Sequence, residues 1–360
     1  MAAITAAMVK ELREMTGAGM MDCKKALAET DGDIEAAVDV LKKSGAAKAV
    51  KKQSRIAAEG ITRVAVDGNT ACVAEVNSET DFVAKNETFQ EFVQLVVDTA
   101  IKSDLQGGAN GEDIEALLGT NGLNDVLVEK TATIGEKLSV RRFAKVTGDT
   151  VATYIHGGGK IGVLVACEGA TGDAAKEALT NVAMQIAAMS PQYISRAEIS
   201  GEELAKIKDI TIESALNDAS SLPKPILNAL FAKVEADGLF SADDAATLAE
   251  KKNDKYLFNF LSEEAKAKLA ELALADKASY VADKIFSGLV EGRISKQIKE
   301  ISLLEQTYVK AEDGKQTVGA YVASVNKDLK ITKMVRFEVG EGMEKKNEDF
   351  AAEVAAQMNA

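Results

Sequence analysis

Tryptophan is absent from this 360-residue sequence, histidine occurs once and proline three times. With so few prolines, long stretches are free of the residue that breaks helices, which suits a helix-rich chain. A single histidine, His156, and three scattered cysteines, Cys23, Cys72 and Cys167, with no CxxC pair, leave little from which to build a His/Cys metal site. The cysteines read instead as buried or half-buried free thiols of a reducing compartment. No apolar run reaches the roughly 18 residues that a membrane span needs, so no membrane partner is expected. The start, Met1-Ala2-Ala3-Ile4-Thr5, lacks a charged segment, apolar run and cleavage site in series, and a cytoplasmic location is expected. Excess basic charge is missing as well: 43 Lys and Arg stand against 56 Asp and Glu, for a net charge of −13. A general nucleic-acid binder has the opposite balance, so no direct nucleic-acid partner is expected. No cofactor is expected either.

The 46% of hydrophobic residues can bury substantial cores, and the length suggests two or three domains. Residues 1–45 read as three short helices. Thr5 caps the first, with Met8, Leu12 and Met15 at helical spacing. Met20, Cys23 and Leu27 share a face of the second. Asp33 caps the third, whose stripe is Ile34, Ala37, Val38 and Leu41 and whose terminator is Gly45. Lys42 to Arg55 carries basic residues and no acidic one, and reads as a solvated helical linker. Strand patterns follow at 61–66 and 71–77 around the turn Asp67-Gly68-Asn69. A helix with Phe89, Phe92, Val93, Val96 and Ala100, a helical segment near 112–136, and a strand from Leu138 to Val146 come next. A second unit begins near 150, with strands at 151–155 and 161–167, a helix through Leu179, Val182, Ile186 and Met189, and a last strand at 331–339. Pro191 marks the end of that helix, and Pro223 and Pro225 a turn. Residues 200–300, rich in Ala, Lys, Glu, Asp and Leu, interrupt this unit as several helices, and a helix over about 349–358 ends the chain.

The motifs divide into bland and informative. Gly157-Gly158-Gly159-Lys160-Ile161 is not a phosphate loop, because Ile161 stands where Ser or Thr is needed and Tyr154 where the first Gly is needed. It reads as a hairpin turn. Asn86-Glu87-Thr88 is a chance sequon. His156 lacks a nucleophile placed beside it by sequence pattern and reads as a contact or structural residue. The run Glu75 to Asn86 stands apart, since it reads as a connecting loop yet places Phe82 and Val83 among charged neighbours. Either Phe82 folds back onto its own core, or it is an exposed aromatic wedge beside Asp81 that enters a pocket on a partner.

Thr80-Asp81-Phe82-Val83 within that run, and the stretch Leu12-Arg13-Glu14-Met15-Thr16-Gly17-Ala18-Gly19-Met20-Met21-Asp22-Cys23-Lys24-Lys25-Ala26-Leu27, resemble the two signatures of the elongation factor Ts family. Arg336-Phe337-Glu338-Val339-Gly340-Glu341-Gly342 and Asp349-Phe350-Ala351-Ala352-Glu353-Val354-Ala355 resemble its C-terminus. The likeness covers about 1–200 and 300–360. It implies an α+β fold: a UBA-like three-helix bundle with linker (1–55), two related α+β core subdomains (56–147, and 148–200 with 301–340), an inserted coiled-coil-like helical domain (201–300) and a C-terminal helical module (341–360). It implies a non-enzymatic guanine nucleotide exchange factor whose partner is the GTPase elongation factor Tu. Arg13, Met20, Met21 and Lys24 match the bundle's contact surface. Thr80, Asp81, Phe82 and Val83 match the loop that enters near the magnesium and phosphate region. Ile134, Gly135 and His156 match positions touching the same face, and Tyr308 and Val309 match a segment reaching another domain of the partner, where the family often has Phe. The resemblance also implies that the C-terminal helix rests on the GTPase domain. The insertion is longer than in many members, and a homodimer through it is a further expectation. Two rival readings of the residues are an adaptor that captures a peptide with its bundle, which has no need of the 80–83 loop, and an enzyme using His156.

Overall fold

The computed structural model describes residues 4–344; the helix expected over 349–358, and the module 341–360 beyond Glu344, lie outside the described residues. Helices and antiparallel sheets combine in an α+β architecture of two compact units. One is built from residues up to Ser190 together with those from Tyr308 onward, the other from Pro191–Thr307.

The first unit opens with α1 (Ala6–Thr16), α2 (Met20–Glu29) and α3 (Ile34–Lys52). Thr5 accepts the Met8 amide and Asp33 the Ala36 amide, so both caps read from the sequence are made. Leu12, Cys23, Ala26, Leu27 and Ala37 fill the bundle core. Met15 and Met20, expected on the apolar stripes, are exposed, because a core this small is already full. Gly45 does not end the third helix. It is buried mid-helix, where an added Cβ would lie 3.2 Å from the Cβ of Ala132, so its small size serves a close crossing with the helix Leu123–Ile134. Lys52 donates to the Thr131 carbonyl at 3.2 Å. Lys52 is therefore docked, while Lys42, Lys43, Lys51 and Arg55 are exposed, as a solvated helical stretch requires.

A hairpin of β1 (Glu59–Asp67) and β2 (Thr70–Ser78) leads to α4 (Asp81–Ala84), α5 (Glu87–Lys102), α6 (Ile114–Leu118), α7 (Leu123–Ile134) and β3 (Ser139–Thr147). The segment expected as one helix over 112–136 is broken because Asn121 and Gly122 take left-handed φ values of 51° and 71°. The sheet runs β1-β2-β3, all antiparallel. Phe89, Phe92, Val93, Val96 and Ala100 of α5 pack on one face, against Cys72, Ala74 and Val76. The other face, Ala71, Val73, Ala144 and Val146, meets a second sheet through Val151, Leu164, Ala166 and Phe337. Central and covered on both faces, β2 is buried along nearly its whole length. The second sheet begins with β4 (Thr150–His156) and β5 (Ile161–Glu168), joined by the turn Gly157–Gly159, and α8 (Asp173–Met189) packs on both strands. Gly162 lets the sheets close: a Cβ there would come within 2.8 Å of Thr62 Oγ1 and Val73 Cγ2. Met189, read as part of the stripe of α8, is exposed at its C-terminal end.

The second unit holds α9 (Gly201–Asn217), α10 (Lys224–Asp237), α11 (Ala242–Lys251), α12 (Glu263–Ala275), α13 (Lys277–Ala282) and α14 (Lys284–Ile301) around Leu216, Leu230, Phe231, Leu248, Leu269 and Phe286. Pro223 and Pro225 start α10, where the first turn tolerates proline. The unit extends beyond 201–300 because its two chain ends pair: the Gln192 and Tyr193 amides donate to the Ile301 carbonyl, the Leu303 amide to Tyr193 and the Leu304 amide to Ile194. Asp244 joins two helix starts. Its carboxylate accepts the Ser262 amide (2.9 Å), the Ser262 hydroxyl (2.8 Å) and the Ser241 hydroxyl (2.7 Å). Chiefly the Ser262 amide, then the Ser241 hydroxyl, hold its pKa below the ordinary 3.8. A depressed folded-state pKa gives stability that is present above about pH 4 and lost as pH falls through the folded value. Asp244→Ala should cost this unit about 1.5–3 kcal/mol at neutral pH, the range for bonds to a charged group. Urea unfolding should show the gap to the parent protein shrinking as the solution is acidified; a gap independent of pH would refute this.

The chain then returns through α15 (Val318–Val325) to β6 (Lys330–Glu338), which pairs antiparallel with β5 and completes the order β4-β5-β6. No described helix is long and apolar enough to cross a membrane.

Candidate functional site

Residues 81–84 are not a loop but one helical turn. The Thr80 side chain starts it by accepting the Val83 amide at 3.4 Å, and Asn86 starts α5 immediately afterwards by accepting the Phe89 amide at 3.2 Å. Two caps this close confine α4 to four residues. Ala84 is buried and Val83 packs against the core under α5. Phe82 is left outside and is 80% exposed, which excludes its folding back onto the core. The Lys85 ammonium lies 2.7 Å from Asp81 Oδ2 and 5.9 Å from the centre of the Phe82 ring. That bond, with smaller help from Lys160, holds the Asp81 carboxyl below its ordinary pKa, so Asp81 is an anion beside an exposed aromatic ring.

The base of α4 is tied to the end of α7, which the sequence reading did not foresee. Glu136 Oε2 accepts the Glu79 and Thr80 amides at 3.1 and 3.0 Å, and its Oε1 accepts the Thr80 hydroxyl at 2.7 Å. In return Glu79 accepts the Lys137 amide at 2.6 Å and pairs with Arg55 at 3.2 Å. Ile134 and the left-handed Gly135 that ends α7 (φ 89°) are thereby set directly before the residue that grips Thr80. Such a contact between positions 56 residues apart leaves no trace in sequence spacing.

The other candidates are divided. Arg13, Met20, Met21 and Lys24 are all exposed on α1 and α2; the two methionines are 61% and 65% exposed, although one of them was expected in the core. The bundle and α7 also bound a groove of about 640 Å³ lined in part by Met15, Gly19, Asp22, Leu41 and Ala132. His156 is exposed at the end of β4, with Nδ1 3.1 Å from the Tyr154 hydroxyl. Its neighbour in the turn, Lys160, pairs with Glu59 at 2.5 Å. Tyr308 and Val309, read together as a contact, separate. Tyr308 is 6% exposed, stacks on Tyr321 at 4.2 Å, and has its pKa pushed up to about 12, first by burial. Val309 is 49% exposed, and its amide is held by Gln185 at 2.8 Å. The three thiols are buried and unpaired, and burial pushes Cys72 up to about 12.

This arrangement is suited to contact: an exposed aromatic ring and an anion sit on a braced turn, and the exposed imidazole of His156 is partnered by the Tyr154 phenol. The family model described as Elongation factor TS matches residues 79–235 and 240–341. The chain is also 43% identical, over 369 residues covering 99% of it and 100% of the other protein, to "Elongation factor Ts" of Clostridioides difficile (strain 630).

Proposed function

This chain belongs to the elongation factor Ts family, and from that premise we propose that it binds elongation factor Tu and expels GDP by inserting the Asp81-Phe82 turn beside the magnesium and phosphate site. In general terms it is a translation elongation factor of the nucleotide-exchange kind, not a catalyst of covalent chemistry. The observation that carries the finer reading is Phe82, an exposed ring on a turn held from below. Exchange needs only that the factor bind the nucleotide-free GTPase more tightly than the nucleotide-bound form. By linkage it then weakens nucleotide binding by the same factor. GTP binding reverses the step and displaces the factor.

In this reading Arg13, Met20, Met21 and Lys24 form one docking surface, with methionines suited to an adaptable contact. Thr80 to Val83, Ile134, Gly135 and His156 form the second. Val309 makes the third contact directly, and Tyr308 supports it from inside. The test is to mix the protein with elongation factor Tu carrying fluorescent GDP and follow the signal. Release well above the intrinsic rate is expected, and release at the intrinsic rate would refute the proposal.

The inserted helical unit takes no part in exchange in this reading and serves self-association. Its paired chain ends at 192–194 and 301–304 allow residues 197–299 to be replaced by a short turn. The shortened protein should release GDP at the parent rate while sedimenting as a monomer at concentrations where the parent self-associates. Slow release from a shortened protein that melts cooperatively would count against this.

A further inference from the structure

We infer that Glu136 is the positioning residue that aims Phe82. This rests on the exchange reading above. A four-residue helix has no stability of its own, since nucleating a turn costs more than one hydrogen bond returns. Its leading N–H groups need acceptors as well, and Thr80, the residue that Glu136 holds, supplies one for the Val83 amide. The exposed Phe82 ring has too little packing to fix its own direction, so the direction must come from the backbone beneath it. Glu136 supplies that constraint. One carboxylate takes both amides that precede the turn and the hydroxyl of its capping residue. The opposite exchange, Lys137 amide to Glu79 carboxylate, stops the two segments from sliding. Glu136 stands at the end of α7, whose far face packs on the bundle at Gly45 and Ala132. The wedge is therefore braced against the helix that also carries the bundle.

The test measures stimulated GDP release at saturating factor for Glu136→Ala, Glu136→Gln, Phe82→Ala and the Phe82→Ala/Glu136→Ala pair, with amide hydrogen exchange of Glu79 and Thr80. Glu136→Ala should slow release about tenfold, equivalent to about 1.4 kcal/mol of lost preorganisation. It should also expose both amides to exchange. Glu136→Gln keeps one acceptor and should recover part of the rate, which also serves if the alanine variant folds poorly. The pair should be no slower than Phe82→Ala alone, because a positioning residue has nothing left to position. Parent-like release by Glu136→Ala beside slow release by Phe82→Ala overturns the inference and leaves the wedge standing. A pair slowed by the full product of the single effects also overturns it, since Glu136 would then act independently. Parent-like release by Phe82→Ala overturns the wedge reading and the inference with it.

Discussion

Glu75→Ala is expected to destabilise the sheet-bearing unit by about 3–5 kcal/mol, the cost of stranding a buried charge by removing its partner. Glu75 sits in the middle of β2 on the face toward the second sheet, and it is fully buried. Its Oε1 accepts Arg141 Nη1 and the Gly340 amide, both at 2.9 Å, and Asn77 Nδ2 at 3.2 Å, while Oε2 accepts Arg142 Nε at 2.6 Å. Two consecutive arginines reach one carboxylate only because the β2–β3 register slips between Glu75 and Val76. In a regular strand their side chains would point to opposite faces, and the bulge re-aims one of them. The Arg142 guanidinium lies 4.2 Å from the centre of the Phe337 ring, and its Nη2 donates to the Glu338 carbonyl at 3.0 Å. The carboxylate thus fastens β2 of the first sheet to the chain leaving β6 of the second. Alanine would strip the acceptor from the buried Arg142 Nε and from the Gly340 amide, leaving that guanidinium only the Glu338 carbonyl and the half-exposed Glu341 carboxylate that Nη2 reaches. Glu75→Gln keeps the shape and one acceptor but turns an NH₂ toward an arginine, so it should fall between. Calorimetry should show the main transition of Glu75→Ala lowered by about 10 °C. A loss below about 1 kcal/mol would mean that the sheets are held by their apolar face alone.

Much of the scaffold was legible in the sequence where a local rule acted alone. Period-2 patterns around Asp67-Gly68-Asn69 gave β1 and β2 to within a residue or two, and Thr5 and Asp33 marked helix starts through bonds spanning three residues. Where a distant partner intervened, local rules misled. Gly45 looks like a terminator, but α7 needs it as a thin place on a continuing helix. Thr80 to Ala84 looks like a loop because a single turn has no periodicity to detect. Tyr308 and Val309 are adjacent in sequence, yet one ring is claimed by Tyr321 and only the other side chain reaches solvent. The charges were the least legible. Glu75 and Glu136 look like any of the chain's other acidic residues, and their partners stand 66 and 56 residues away. Phe82 was visible because an apolar ring between charged neighbours is odd at any scale, but whether it faced in or out required the packing of Val83 and Ala84 beneath it.

Phe82→Ala should slow stimulated GDP release roughly ten- to hundredfold, equivalent to about 1.4–2.8 kcal/mol at the rate-setting step. It should do so without lowering the melting temperature. A phenylalanine buried in its own core loses about 3–5 kcal/mol when cut to alanine, through lost transfer energy and a cavity. Phe82 is 80% exposed, leaves no cavity, and belongs with surface positions whose substitution stays within about 0.5 kcal/mol. Its ring can gain burial only against a partner. A contact made as nucleotide leaves lowers the barrier to release and has no counterpart in the isolated protein. Asp81→Ala should act in the same direction, because the carboxylate, held ionised by Lys85, flanks the ring where it would meet the magnesium and phosphate contacts. The double variant should fall short of the product of the two, since both side chains act at one spot. The decisive pair of measurements is the melting temperature of isolated Phe82→Ala and its stimulated release per folded molecule. A lowered melting temperature with parent-like release would show that the ring serves this protein's own fold and that exchange is driven from elsewhere.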